Sequence, residues 1–147
     1  MNPNGRHKTR TREDLLITIY RLVHSKMVVY QTTNIKKVCD LIFKQNELIK
    51  FYDNTNFDYE YLFDVCKTSE NLRKRYYDTL TAAKDKDNFP HLSQIVDRYK
   101  QLLPLLIEQQ KLQCEFMSNE IKNGHAGKYF NSNKERDEYL ALFAKPL

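Results

Sequence analysis

The residue types that carry most protein chemistry are present in this chain, but their spacing matches no metal-binding motif. Its four histidines, His7, His24, His91 and His125, lie far apart, and no CxxC or HxxxH pair occurs. Zinc sites are usually built from such short spacings or from Cys and His clusters. We therefore interpret the histidines as surface residues and predict neither a metal nor a cofactor, although a site assembled only by the fold stays open.

Carboxylates come close together in the sequence at Asp58, Glu60 and Asp64, where a catalytic acid and base have to be considered. The same arrangement is common at the start of a helix, because the helix dipole favours anionic side chains there. The chain has no glycine-rich phosphate loop and no nucleophile elbow. We predict that the protein is not an enzyme and has no small-molecule substrate.

The three cysteines, Cys39, Cys66 and Cys114, are odd in number and widely spaced, and each lies among apolar residues. A free thiol in such a pattern behaves as a small hydrophobe, which fits a reducing compartment. The chain has no apolar run of the ~20 residues that a membrane span needs, and its N-terminus does not resemble a signal peptide. We predict an intracellular protein, cytoplasmic or nuclear, without a membrane contact.

Positive charge is concentrated near the N-terminus. The formal net charge is +5, and four of the 24 basic residues precede residue 13, which leaves 20 basic against 19 acidic groups in the rest of the chain. We predict that residues 1–11 form a flexible basic arm, since flexible cations can neutralise phosphates. Its partner would be a nucleic acid, a nuclear-import receptor or an acidic protein surface, and a solvated terminus without a partner is the alternative.

Composition and periodicity predict that helices position all of these residues. The 147 residues include only three glycines and four prolines, too few turn residues for a β-fold. Apolar residues recur every three or four positions and predict helices over 12–27 and 35–52, with a connection over 28–34 that ends in an N-cap. A third helix is predicted over 57–85, with a possible break at Thr68, Ser69 and Glu70.

The longest helical pattern runs over residues 91–123 and ends at Gly124. A straight helix of that span would be about 50 Å long, which is more than a compact domain of this size accommodates. Pro104 removes a backbone donor, so we expect a kink or break near 100–104 or a protruding helix. Ser132 and Glu135 have the spacing of a capping box and predict a short C-terminal helix.

The predicted fold is therefore all-α. We expect a four- or five-helix bundle with one long helix (about 91–123) that is kinked or broken near Pro104. Residues 12–147 are predicted to form a single helical domain.

One alternative function follows from a resemblance in the first half of the chain. A basic arm, an amphipathic helix, a threonine-rich connection and the run Ile35-Lys36-Lys37-Val38-Cys39 resemble the opening of bacterial TetR-type DNA-binding domains. Met27 and Phe43 stand where such domains usually have glycine. The resemblance implies a DNA-binding regulator of helix-turn-helix type, since such side chains reach base edges and phosphates. The nucleic-acid-binding residues would then be Arg6, Lys8, Arg10, Arg12, Lys44, Gln45, Asn46 and Lys50.

Basic residues also adjoin aromatic residues at 50–52, 73–77 and 128–130. Such pairs can stack the bases of single-stranded nucleic acid and hold its phosphates. Ten tyrosines on helices without any tryptophan, however, favour half-buried rings between helices whose hydroxyls contact water. We therefore expect these aromatic residues to pack between helices and not to stack on bases.

The remaining candidate surface is the long helix itself, because it carries apolar residues on more than one face around Pro104. A helix that is apolar nearly all round is buried either by its own bundle or by another chain. We predict a non-enzymatic helical protein-interaction module or a subunit of a larger intracellular assembly, which binds a protein partner or a second copy through exposed helix faces. The candidate partner-binding residues are Leu102, Leu105, Ile107, Phe116, Tyr139 and Phe143.

Overall fold

The computed structural model describes residues 11–45 and 59–141, with side chains described from residue 62 onward in the second segment. Most of the predicted arm, the end of the predicted helix over 35–52 and the last six residues lie outside this part. The described residues form six α-helices and one 3-10 turn, without a strand, so the all-α helical bundle is confirmed. In chain order the elements are α1 (Arg12–Tyr30), α2 (Ile35–Lys44), α3 (Tyr59–Cys66), α4 (Ser69–Ala82), α5 (Pro90–Lys122), the 3-10 turn (Ala126–Lys128) and α6 (Asn133–Tyr139).

Side-chain caps define where four of these helices begin. At the start of α1 the Thr11 hydroxyl accepts a hydrogen bond from the Asp14 N–H (3.1 Å), and the Asp14 carboxylate accepts one from the Thr11 N–H (3.2 Å). At the starts of α2, α4 and α6, one side chain accepts a hydrogen bond from the backbone N–H three residues later. These side chains belong to Asn34, Thr68 and Ser132. These caps satisfy backbone donors that a helix start leaves free. The predicted N-cap before α2 and the start after Ser132 are confirmed.

The end of α1 differs from the prediction. The helix continues through 28–30, which were expected to belong to a connection, and ends where Gln31 adopts a left-handed conformation (φ 57°). The Thr32 N–H bonds to the Met27 carbonyl (3.0 Å), as is usual at a helix C-terminus. Tyr30 is fully buried, so packing of this last turn overrides the low helix propensity of its β-branched neighbours.

The predicted helix over 57–85 is two helices. Lys67 has a left-handed backbone (φ 64°) between α3 and α4, and the Thr68 hydroxyl then accepts a hydrogen bond from the Asn71 N–H (3.1 Å). The break lies at the position where the apolar pattern was interrupted.

The long helix α5 runs without interruption for 33 residues, with Pro104 inside it. Pro104 therefore does not break the helix. The C-terminal end has the hydrogen bonds of a Schellman motif, from the Gly124 N–H to the Ile121 carbonyl (3.1 Å) and from the His125 N–H to the Glu120 carbonyl (2.8 Å). Gly124 has a φ of +80° there, a conformation that glycine adopts at little cost.

Helix α1 lies at the centre of the bundle and packs against α2, α4 and α5. It runs parallel to α5, because Glu13 at its start contacts His91 and Gln31 at its end contacts Cys114. The C-terminal segment returns to α5, where the Tyr139 hydroxyl bonds to the Cys114 thiol. None of the helices in the described part of the chain combines the length and the apolarity needed to cross a membrane.

The N-terminus of α5 is capped by a residue from α1. Phe89, at the N-cap position, makes no side-chain capping bond, and Pro90 occupies the first turn. Instead the Glu13 carboxylate accepts hydrogen bonds from the His91 N–H (3.0 Å) and the Leu92 N–H (3.1 Å). A carboxylate at this position also interacts favourably with the helix dipole. Glu13 thereby joins the starts of two helices that are distant in sequence.

Replacing Glu13 with alanine is expected to lower the free energy of unfolding by about 1 kcal/mol, because two N–H groups lose their acceptor. Urea denaturation followed by circular dichroism measures the change. Glu115→Ala is the matched control, since Glu115 is an exposed glutamate on α5 and such substitutions change stability by less than roughly 0.5 kcal/mol. Equal effects of the two substitutions would contradict the capping role.

Candidate functional site

Four large apolar side chains on α5 are exposed to solvent and lie on one side of the helix. The exposed fractions are 41% for Leu102, 64% for Leu105, 58% for Leu112 and 53% for Phe116. Their spacings of three, seven and four residues place them along one line of a helix, with Gln109 completing the repeat. We call these four residues the outer stripe.

A second apolar face of α5 points into the bundle. Leu92 is fully buried, Cys114 and Met117 are buried, and Tyr99 and Leu103 pack at the edge of the core. Neighbouring residues on a helix point about 100° apart. Consecutive leucines such as Leu102 and Leu103 therefore supply the outer stripe and the inner face at once, which explains why the sequence pattern is apolar on more than one face.

The outer stripe continues onto the turn after α5. The Tyr129 ring is 41% exposed and contacts the Phe116 ring edge to face, with 6.4 Å between centroids. The Tyr129 hydroxyl donates to the Glu120 carboxylate (2.6 Å), and the His125 ring nitrogen Nδ1 lies 2.7 Å from the other carboxylate oxygen. These bonds hold the pKa of Glu120 below its usual value, and the bond from Tyr129 has the larger effect. Tyr129 is thus positioned by α5 itself.

The structure brings only part of the predicted partner-binding set together. Leu102, Leu105 and Phe116 share the outer stripe, whereas Ile107 is half-buried and falls on the other side of the helix. Tyr139 is half-buried on α6, where its ring lies 5.3 Å from that of Phe130.

Two further points concern that set. Phe143 lies outside the described residues. Leu112 was missing from the prediction, although its spacing of seven residues from Leu105 is the repeat of a helix-pairing seam.

A pocket of about 180 Å³ lies between α1 and α5, beside the outer stripe. Its exposed edge includes Leu106, which is 41% exposed and follows Leu105 on the helix. The atoms that form the pocket surface are almost all apolar, although some of them belong to polar residues. The residues around it are Arg21, His24, Ser25, Val28, Tyr99, Leu103 and Leu106.

Acidic side chains border the outer stripe on the side away from α1. Glu108 and Glu115 are both exposed, are seven residues apart and make no ion pair in the described part of the chain. Seven residues are about two helical turns, so the two carboxylates lie on the same edge of the helix. The other border of the stripe is the groove towards α1, where Arg21 is exposed. The surface is therefore apolar in the middle, apart from Gln109, and has two carboxylates along one edge. Lys111 lies behind these carboxylates, on the side away from the stripe.

His24 is not a surface residue, and that prediction is wrong. Its side chain is 6% exposed, its Nε2 lies 3.0 Å from the Tyr76 hydroxyl, and its ring stacks on Tyr20 with 4.0 Å between centroids. Its Nδ1 has no hydrogen-bond partner among the residues that the structure describes. Burial lowers the pKa of His24 to about 4, so the ring is neutral at pH 7. Its position between α1 and α4 gives it a packing role.

Three tyrosines are more deeply buried than predicted, whereas Tyr99 and Tyr139 are half-buried as expected. Tyr20, Tyr30 and Tyr76 are almost inaccessible, and their hydroxyls bond within the protein to the Val96 carbonyl (3.4 Å), the Gln45 amide oxygen (3.1 Å) and His24. Burial raises the pKa of Tyr20 and of Tyr76. Of the basic-aromatic runs, 50–52 lies outside the described residues, and the ring of Tyr76 in the run 73–77 is not accessible to a base. Tyr77 and Tyr129 remain exposed.

The three cysteines are buried and form no disulfide, as predicted. Burial raises the pKa of Cys39 to about 12 and also raises the pKa of Cys66 and Cys114. The thiolate is the reactive form of cysteine, and a buried neutral thiol is a poor nucleophile. The three thiols therefore contribute to packing.

The residues of the DNA-binding alternative are only partly described. Arg12 is exposed and lies 5.9 Å from the centre of the Phe89 ring, and Lys44 is exposed at the end of α2. Gln45 uses its amide group within the protein, bonding to Tyr30 and to the Ala141 carbonyl (3.4 Å). The remaining candidates, which lie outside the described residues, are Arg6, Lys8, Arg10, Asn46 and Lys50.

The described members of that set do not lie together. Arg12 is the first residue of α1, whereas Gln45 contacts Tyr30, the last residue of α1. The length of α1 separates them by about 27 Å. A single basic stripe from the arm to the end of α2 is thus not supported by the described residues, and DNA binding stays a prediction.

Polar side chains cluster where α2 crosses α4. The Asp40 carboxylate accepts hydrogen bonds from Ser69 (2.8 Å) and Lys36 (3.0 Å). Both bonds lower the pKa of Asp40, and the bond from Ser69 has the larger effect. The bond from Ser69 links α2 to α4, and the bond from Lys36 is an ion pair within α2. In the described part of the chain no three His, Cys, Asp or Glu side chains are grouped so as to hold a metal ion. Of the carboxylates near the start of α3, Asp64 is exposed, and Asp58 and the Glu60 side chain lie outside the described residues.

Comparisons of the chain with protein-family models, with curated proteins and with solved structures find no significant match.

Proposed function

We propose that the protein is a non-enzymatic helical interaction module, a subunit of a larger intracellular assembly, and that it binds a partner helix through the outer stripe. The observation that carries this proposal is the exposure of four large apolar side chains, 41% to 64% each, along one line of α5. Contiguous apolar surface of this kind marks interaction sites in soluble proteins. Its three- and four-residue spacing matches the side chains of a second helix.

The free energy available from burying the outer stripe determines how much further contact a partner must make. Full burial of one leucine or phenylalanine contributes about 1.5–3 kcal/mol, so covering four half-exposed side chains contributes roughly 4 kcal/mol. Association costs roughly 4–15 kcal/mol in lost translational and rotational freedom. A stable complex therefore needs contacts beyond the stripe, and the adjoining pocket and charged border are available for them.

The intracellular part of the proposal is supported by the cysteines. Cys39, Cys66 and Cys114 are buried and form no disulfide. Free thiols are typical of reducing compartments.

Site-specific photo-cross-linking tests the proposed surface. A photoreactive amino acid at Leu105 is expected to form, in intact cells, one discrete cross-linked product about tenfold stronger than a probe at Lys100, because the stripe is covered and the opposite face is not. Lys100 is the matched control, since it is exposed on the opposite face of the same helix. Adding Leu112→Glu to the Leu105 probe is expected to remove the product without changing thermal stability.

Two results would count against the proposal. Either equal products from the two positions or a product that survives Leu112→Glu would show that the stripe is not the binding surface.

A further inference from the structure

We propose that the partner is a different protein that contributes an amphipathic helix with three properties. It lies along the outer stripe, inserts one bulky apolar side chain into the adjoining pocket, and carries lysine or arginine along the edge that faces Glu108 and Glu115. This inference rests on the proposed function and names the chemistry of the partner.

The position of the pocket supports the proposed insertion of a bulky apolar side chain. Leu106 belongs to the pocket lining and is also exposed next to Leu105, so a helix lying on the outer stripe passes over the pocket opening. The pocket volume of about 180 Å³ accommodates one leucine, phenylalanine or tryptophan side chain. Val28 from α1 and Leu103 from α5 supply apolar walls. Bulky side chains seated in such desolvated pockets dominate the affinity of protein interfaces.

Charge complementarity supports the proposed lysine or arginine residues on the partner helix. Glu108 and Glu115 are exposed, lie on one edge of the stripe and have no ion-pair partner in the described part of the chain. In paired helices these flanking positions meet the flanking positions of the neighbour, where opposite charges select the partner. Two carboxylates two turns apart therefore favour a helix with two cations at the same spacing.

The same charges disfavour a second copy of this chain. In a parallel pair of α5 helices joined along the stripe, Glu115 would face Glu120 of the other copy. In an antiparallel pair, Glu108 would face Glu108 or Glu115 of the other copy. Like charges at these positions oppose pairing and act as a specificity device. The acidic edge thus selects for a partner of opposite charge.

Selection from a library of displayed helical peptides tests this chemistry. The peptides are three heptads long, with apolar residues fixed along the seam, and have randomised flanks and one randomised anchor position. The full-length protein is expected to enrich peptides with Lys or Arg on one flank and a large apolar anchor. The Glu108→Lys/Glu115→Lys variant is expected to enrich Asp or Glu on that flank instead.

Affinities of the enriched peptides give the magnitudes. The charge-reversed variant is expected to bind the best basic peptide about three- to tenfold more weakly. Ser25→Phe, which fills the pocket, is expected to weaken binding about tenfold. Lys100→Glu, at an exposed position on the opposite face of α5, is the matched control and is expected to leave affinity unchanged.

The outcomes separate this inference from the proposed function. Enriched peptides whose flank charges are the same for both proteins would overturn the inference while leaving the stripe as the binding surface. Enrichment that persists with Leu105→Glu/Leu112→Glu would overturn the proposed function. A dimer in sedimentation velocity that Leu105→Glu dissociates would show that the occupant is a second copy and would overturn the inference.

Discussion

Acidification from pH 6.5 to pH 4 is expected to lower the free energy of unfolding by roughly 3 kcal/mol through His24 alone. The unfolded imidazole binds a proton with a pKa of 6.5, whereas burial lowers the pKa in the folded protein to about 4. The unfolded state therefore binds more protons over this interval. The stability is fully present above pH 6.5 and is lost as the pH falls towards 4.

His24→Gln is the variant that isolates this effect, because glutamine can bond to the Tyr76 hydroxyl but does not titrate. Urea denaturation of both proteins at a series of pH values gives the difference. The carboxyl groups of Asp40, Asp85 and Glu120 also have lowered pKa values, so their stabilisation is lost as the pH falls further, equally in both proteins. Parallel stability curves for the two proteins between pH 6.5 and 4 would refute the assignment to His24.

Replacing Pro104 with alanine is expected to raise the free energy of unfolding by about 2 kcal/mol. A proline inside a helix removes one backbone hydrogen bond and crowds the preceding turn, at a cost of roughly 3 kcal/mol. Part of the gain is offset because alanine makes the unfolded chain more flexible. Pro104 is exposed, so its replacement removes little packing. Urea denaturation with circular dichroism measures both the stability and the helix content.

Pro90→Ala is the control within the same helix. Pro90 lies in the first turn of α5, where a missing N–H costs nothing and the fixed φ favours the helix. Its replacement is expected to lower stability by about 0.5 kcal/mol, opposite in sign to Pro104→Ala. A Pro104→Ala protein no more stable than the parent would mean that the surrounding structure already compensates for the proline.

The helix starts were accessible from the sequence because capping is local. Asn34 and Ser132 lie within three residues of the N–H groups that they cap. The end of α1 was not accessible, since residues 28–30 are helical only because Tyr30 packs into the core. The cap of α5 was also missed, because Glu13 is 78 residues away from His91.

The candidate site was partly predictable. Leu102, Leu105 and Phe116 were identified from an excess of apolar residues, and all three are exposed on one side of α5. The same excess could not separate them from Ile107, because a periodic pattern does not reveal which of two apolar faces a neighbour covers. His24 was misassigned for a similar reason, since one histidine in a helical pattern has no local mark of burial.

Sequence by itself determined that this protein is helical, where most of its helices begin and that its cysteines form no disulfide. Those properties depend on interactions within a few residues, namely periodicity, capping and the lack of turn-forming residues. Only the tertiary structure decided which side of α5 remains exposed, that a pocket adjoins it and that His24 is buried. Burial depends on which distant segments pack together, and here α1 covers one face of α5 and leaves the outer stripe in solvent.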